Sequence, residues 1–297
     1  MEAELAQLKE QVKALTARVN KVQDEAEVRK THFKYGYYLD KCLYEQVVDM
    51  FSDHPDAYVE FLGSRYRGKE GIRRLYIGRF ARTFVNGRNG PVHGFLLDHP
   101  MLQDIIDVNE DGTHAWGRLR ALMSAGTHDS IRETHPRGHA QWWEGGLYEN
   151  EYIKEGGAWK LFKYRYFPFW HGEFEKGWSH TKQNYIPWPK VTYPEDPYGP
   201  DELLEQKMLW PDTRVVPFHY PHPVTGKHVA EDDLRAPHYG KDVSTSDPPL
   251  SLAPPKDQQE RSQSDGGAAT STSTLQNGTN GDTKELRQEV EHIEIAA

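Results

Sequence analysis

The chain has 297 residues, only 36% of them hydrophobic, and a mean hydropathy of −0.83, so part of it must lie outside any core. Its 36 Lys and Arg against 45 Asp and Glu leave a net charge of −9, which argues against a nucleic-acid-binding face, and no window approaches the roughly 18 apolar residues of a membrane span. The single cysteine, Cys42, excludes an intrachain disulfide and a multi-cysteine zinc site; with no basic-then-apolar leader at Met1–Glu4, a reducing, cytoplasmic setting is expected.

In chain order, residues 1–24 come first as a short heptad segment. Leu5, Leu8, Val12, Leu15, Val19 and Val22 recur at alternating steps of three and four, an a/d seam about three heptads long. Such a seam needs a partner or the following domain. A helix leaning on its own domain and an intermolecular coil both remain open. Residues 25–172 carry the dense core, with Trp116, Trp142, Trp143, Trp159 and Trp170. Helices are predicted over 26–38 and 43–51, the second with Tyr44, Val47, Val48 and Phe51 on one stripe. A strand follows over 56–62, then a turn punctuated by Gly63 and Gly68. Residues 70–84 predict an amphipathic helix with Ile72, Leu75, Tyr76, Phe80 and Phe84 as its apolar face.

Only strands are expected beyond that helix. Residues 101–108 and 114–124 flank Asp111-Gly112, and 145–154 and 159–169 flank Gly156-Gly157, both hairpin signals. Helices first and a long antiparallel sheet afterwards make an α+β arrangement. Residues 173–242 interleave prolines with Trp178, Trp188, Trp210, Phe218 and Tyr220, which predicts an ordered arm laid across a surface. Residues 243–297 hold no aromatic side chain and nine acids to four bases, the composition of a disordered tail.

Three motifs invite chemistry. Gly63–Glu70 (GSRYRGKE) nearly matches a phosphate loop, but Glu70 stands where a Ser or Thr must hold magnesium; a plain strand-turn-helix joint is the simpler reading. His128, His135 and His139 share the loop near 126–140. They could ligate a metal, as in a hydrolase, or belong to a lid. Asp40 ends the first helix, and Pro100 holds His99 extended. A carboxylate facing an imidazole fixes its tautomer and raises its basicity, which makes a proton-abstracting dyad. Alternatively, Asp40 caps the helix at 43–51 and His99 is a polar strand end.

The core resembles the SnoaL-like enzymes of the nuclear transport factor 2-like superfamily. Four segments carry the resemblance: Tyr37-Tyr38-Leu39-Asp40-Lys41, the turn from Gly63 to Ile72, His99 placed 18 residues before Gly117, and the closing hairpin from Glu149 to Lys160. The resemblance covers about residues 25–172. It implies a conical barrel, a curved antiparallel sheet wrapped on the N-terminal helices around an apolar pocket, with Asp40 and His99 meeting inside. It also implies a cofactor-independent, dehydratase-like lyase, isomerase or cyclase acting on a small, largely apolar secondary metabolite. His99 would be the base and Asp40 its orienter; no metal or cofactor would take part. Tyr37, Tyr38 and Tyr58 would be hydroxyl donors. Tyr148 and Asn150, which strand alternation puts on one face with Tyr152, would touch substrate, as would Met123 from the facing strand. A non-catalytic binding or scaffold module of the same fold is the alternative. The relatives imply a homo-oligomer, dimer or trimer, and the 173–242 arm is expected to embrace a neighbour. Two departures stand out: the face from Gly117 to Ala125 has no second histidine, and Leu39 replaces the tyrosine beside the aspartate.

Overall fold

The computed structural model describes residues 1–135, 141–180, 189–205, 207 and 209–235. The chain divides into two units, Met1–Val243 and Ser244–Ala297; the second, with the tail expected to be disordered, lies outside the described residues. Among the described residues no helix is long and apolar enough to cross a membrane.

Helix α1 runs unbroken from Glu2 to Asp40, so the heptad segment and the helix expected over 26–38 are one element. The stretch has no proline and a single glycine, Gly36, so nothing interrupts its hydrogen-bond ladder. Its halves differ. Residues 1–23 are exposed, whereas Val28, His32, Tyr35 and Leu39, at steps of four, three and four, are buried, as on a helix facing a core. After Cys42, in the left-handed region at φ 53°, comes α2 (Tyr44–Asp49).

Strand β1 (Tyr58–Phe61) turns through Leu62 and Gly63 into β2 (Ser64–Arg67). The near-match to a phosphate loop is therefore half of a hairpin, with Arg65 tied to Glu60 and Glu202. The predicted helix at 70–84 is longer and less regular than its apolar spacing suggests. It comprises α3 (Gly68–Arg73), a π-helical stretch (Arg74–Ala81) and α4 (Arg82–Val85).

The remaining strands are β3 (Phe95–Asp98), β4 (Met101–Val108), β5 (His114–Thr127), β6 (Gln141–Glu155), β7 (Ala158–Glu173) and β8 (Glu202–Leu203). They join β1 and β2 in one sheet of order β3-β5-β6-β7-β1-β2-β8, with β4 also on β5. Every pairing is antiparallel except β1 with β7. β3 and β4 are two pieces of one edge: β3 pairs Ser124–Thr127, and β4 pairs from Ala121 back to Ala115. Between them fall His99 and Pro100, and a proline has no N–H to give a ladder. Register shifts between Leu102 and Ile105, Gly145 and Gly146, and Glu151 and Tyr152 bend the strands. The result is an α+β fold in which an open, curved sheet wraps the second half of α1.

The described part of the arm lies on this same unit. β8 extends the sheet beside β2, and Leu209 and Val216 are buried. The Arg118 guanidinium donates to the carbonyls of Val216 and Pro217 and lies 4.1 Å from the Phe218 ring centre. Its other partner is Glu149, which His219 also engages.

Candidate active site

Asp40 is the last residue of α1, and its carboxylate reaches the break in the sheet edge. The His99 Nδ1 lies 2.7 Å from Asp40 Oδ1. The backbone N–H of His99 donates to both Asp40 oxygens at 3.1 Å. An ionised carboxylate only accepts, so Nδ1 carries the ring proton and Nε2 keeps the lone pair. The side chains of His99 and Asp40 are 10% and 14% exposed. Asp40 does not cap α2: that position belongs to Leu43, with no side-chain cap bond.

His99 stands in the wall between two hollows. The inner one, about 300 Å³, is enclosed by the curled sheet, α1 and the π-helical stretch; its wall is mostly aromatic and includes Tyr44, Trp142, Tyr148, Tyr164 and Tyr166. The outer one, about 380 Å³, is lined by Tyr37, Asp40 and Met101 among others. The inner wall carries few charges. Glu144, on β6, is 3% exposed and sits 2.8 Å from His171 Nε2. Burial pushes its carboxyl pKa up, but the charge of His171 and the hydrogen bond to it, chief among the opposing causes, hold it below the ordinary value. Burial also raises the hydroxyls of Tyr44, Tyr148, Tyr164 and Tyr166, so all stay protonated at neutral pH. The hydroxyls of Tyr44, Tyr66, Tyr164 and Tyr166 are buried without a well-formed hydrogen bond among the described residues.

The other expected site residues divide. Met123 and Tyr148 line the inner cavity with His99. Tyr37 lines only the outer hollow and is 77% exposed. Tyr38, Tyr58 and Asn150 line neither. Tyr38 lies on the open side of α1, 36% exposed. Tyr58 falls on the opposite strand face from Val59, beneath the Arg65 guanidinium at 4.9 Å. Asn150 does face inward, but the core closes over it: its Oδ1 accepts from the Arg165 N–H at 2.8 Å and its Nδ2 approaches His32. Of the loop histidines, His128 Nδ1 contacts Ser130 and His135 Nε2 contacts the Phe84 carbonyl, while His139 lies outside the described residues. No group of three or more candidate ligands converges among the described residues.

Glu144 was within reach of the sequence. Counting back from Tyr148 by twos reaches Gly146, Glu144 and Trp142, all buried. His171 was not. Gly145 pairs Trp170 while Gly146 pairs Pro168, so Phe169 is an extra residue that shifts the inward face of β7 from even to odd numbers.

A family model for a SnoaL-like domain matches residues 20–165. No curated protein matches the chain in a sequence comparison. Three solved structures are similar in fold. A scytalone dehydratase-like protein from Novosphingobium aromaticivorans has 17% identity and a TM-score of 0.41 over 56% of this chain and 93% of its own. A LinA-type3 hexachlorocyclohexane dehydrochlorinase from Novosphingobium barchaimii has 15% identity and 0.42 over 53% and 94%. Aln2 from Streptomyces has 12% identity and 0.38 over 48% and 89%.

Proposed function

We propose, from the match of residues 20–165 to a SnoaL-like domain model, a cofactor-independent enzyme of lyase or isomerase type that draws an acidic C–H proton from a small, largely apolar molecule. The observation that carries this reading is the Asp40–His99 contact of 2.7 Å in the wall of an aromatic cavity. Nε2 of His99 takes the proton, and Asp40 holds the resulting imidazolium in place. A buried tyrosine hydroxyl, with Tyr166 beside Glu144 as the first candidate, donates to the oxygen on which negative charge collects. The electron pair left on carbon then either forms a double bond as a group departs from the neighbouring carbon, or is reprotonated further along the molecule. The first outcome is elimination and the second isomerisation. Met123 and Tyr148 shape the cavity. Catalysis belongs to residues 25–172, and the described part of the arm adds β8 to the sheet and receives the Arg118 guanidinium through the Val216 and Pro217 carbonyls.

The test follows proton loss directly. 2-Tetralone, a flat bicyclic ketone with an acidic C–H, is incubated in D₂O with protein and followed by proton NMR. Wild-type protein is expected to accelerate loss of the signal of the protons between ring and carbonyl, and His99→Gln to lose about 10²–10⁴-fold of that acceleration. Equal exchange with both proteins refutes the assignment of His99 as base.

A further inference from the structure

The first half of α1 is not buried against any described part of its own domain. Residues 1–23 are all exposed, a rod of about 34 Å at the α-helical rise. Along it Leu5, Leu8, Val12, Leu15, Val19 and Val22 are 53%, 55%, 54%, 59%, 62% and 65% exposed. The stripe therefore does not lean on the domain that follows. A projecting helix of this length is marginal in water on its own, and most helical stability comes from packing an apolar face.

We propose that residues 2–22 pair with the same segment of a second copy of this chain as a parallel, in-register, two-stranded coiled coil. Heptad assignment puts Leu5, Val12 and Val19 at a and Leu8, Leu15 and Val22 at d. Two of the three a residues, Val12 and Val19, are β-branched and two of the three d residues, Leu8 and Leu15, are leucine, the combination that favours two parallel strands over three or four. The flanking positions agree. Glu4 falls at g and Lys9 at the following e, so in a parallel pair each Glu4 faces the other chain's Lys9. The next two g–e pairs, Gln11 with Thr16 and Arg18 with Gln23, contain no like charges. An antiparallel pair, which sets g against g and e against e, loses both Glu4–Lys9 contacts. Six half-exposed side chains on each of two helices offer on the order of 1,000 Å² of removable surface, the lower end of a specific interface. Such an interface is weak enough to be reversible. The same helix ends in Asp40, so two active sites ride on one coil without either contributing residues to the other.

The experiment is light scattering on the full chain at tens of micromolar, with the double variant Leu8→Glu/Leu15→Glu beside it. Both positions are exposed, so the domain keeps its fold, and far-UV circular dichroism checks that. Wild type is expected at twice the 34.3 kDa chain mass, and the variant at half the wild-type mass. A monomeric wild type, a higher multiple, or a variant of unchanged mass overturns the proposal; the first outcome would mean that another part of this chain covers the stripe. A Leu5→Cys variant tests direction. Cys42 is buried, so mild oxidation is expected to cross-link the two position-5 thiols if the strands are parallel and in register, and failure to cross-link overturns that arrangement.

Discussion

His32 makes the stability of this fold sensitive to mild acid. The residue lies on the inner face of α1, fully buried, with its ring among those of Tyr35, Tyr148, Tyr152 and Tyr164. Its Nδ1 accepts from the Tyr152 hydroxyl at 2.8 Å, so the neutral ring carries its proton on Nε2, which has no partner among the described residues. Charging the ring would add a cation with nothing to receive it, and burial alone pushes the pKa down to about 3 from 6.5. Between those two values the unfolded chain binds a proton that the folded chain refuses. Stability therefore falls as pH drops through 6.5 and continues to fall until about 3. Between pH 6.5 and 4.5 this one group costs about 2 kcal/mol. Other histidines titrate in the same interval, so the readout is a difference. Urea unfolding of wild type and of His32→Asn, whose amide can still accept from Tyr152 but does not titrate, is measured at pH 6.5, 5.5 and 4.5. Wild type is expected to lose about 2 kcal/mol more than the variant over that interval, a relative midpoint shift of roughly 1 M urea. Parallel pH slopes would refute the picture of a histidine held neutral by burial.

Asp40→Asn removes the acceptor that fixes His99 but leaves its size; proton exchange in the tetralone assay is expected to fall at least tenfold with little change in unfolding midpoint, and undiminished exchange would remove Asp40 from the mechanism. Gly146→Ala would drive a methyl group into the Tyr166 phenol, so weaker binding of apolar bicyclic ligands by calorimetry is expected, with unchanged affinity counting against a functional cavity. Glu149, 5% exposed, shares its carboxylate between Arg118 and His219; His219→Ala is expected to cost about 1–3 kcal/mol in urea unfolding, and a neutral result would mean that the arm is not anchored there. Glu144, with its lowered pKa, contributes stability that is full above the ordinary carboxylate value and lost as pH falls through the lower folded value. Glu144→Gln should therefore flatten the stability curve only below about pH 4.5, a window below the start of the His32 effect.

The fold was legible wherever one periodicity ran without interruption. The odd positions from Ala115 to Ala125 and the even positions from Trp142 to Tyr152 face inward, as simple alternation requires. Legibility failed where an irregularity changed the count. The extra residue at Phe169 moves His171 to the inner face, and the π-helical stretch from Arg74 to Ala81 changes which side chains an α-helical wheel would align. Tyr58 was misplaced for a related reason: a strand of four residues, Tyr58–Phe61, is too short to phase without its neighbour, and a slip of one residue exchanges its faces.

Asp40 and His99 show why a pair can be named from sequence before its geometry can be drawn. What joins them is a defect in the sheet. Pro100 withholds an N–H from the edge strand, the edge splits into β3 and β4, and the His99 N–H turns to the Asp40 carboxylate. A carboxylate bound at once to the ring and to the backbone of the same histidine restrains the rotation of that ring. The imidazole can then face a cavity of rings and hydroxyls without being drawn toward water. The proline and the aspartate are visible as letters 60 residues apart. Their cooperation depends on where α1 ends relative to the sheet edge, which rests on the packing of Val28, His32, Tyr35 and Leu39. Moving the helix end by one residue would turn Asp40 about 100° around the axis, and the carboxylate would leave both donors. The length of α1 is thus as much a part of the candidate site as the two side chains that meet there.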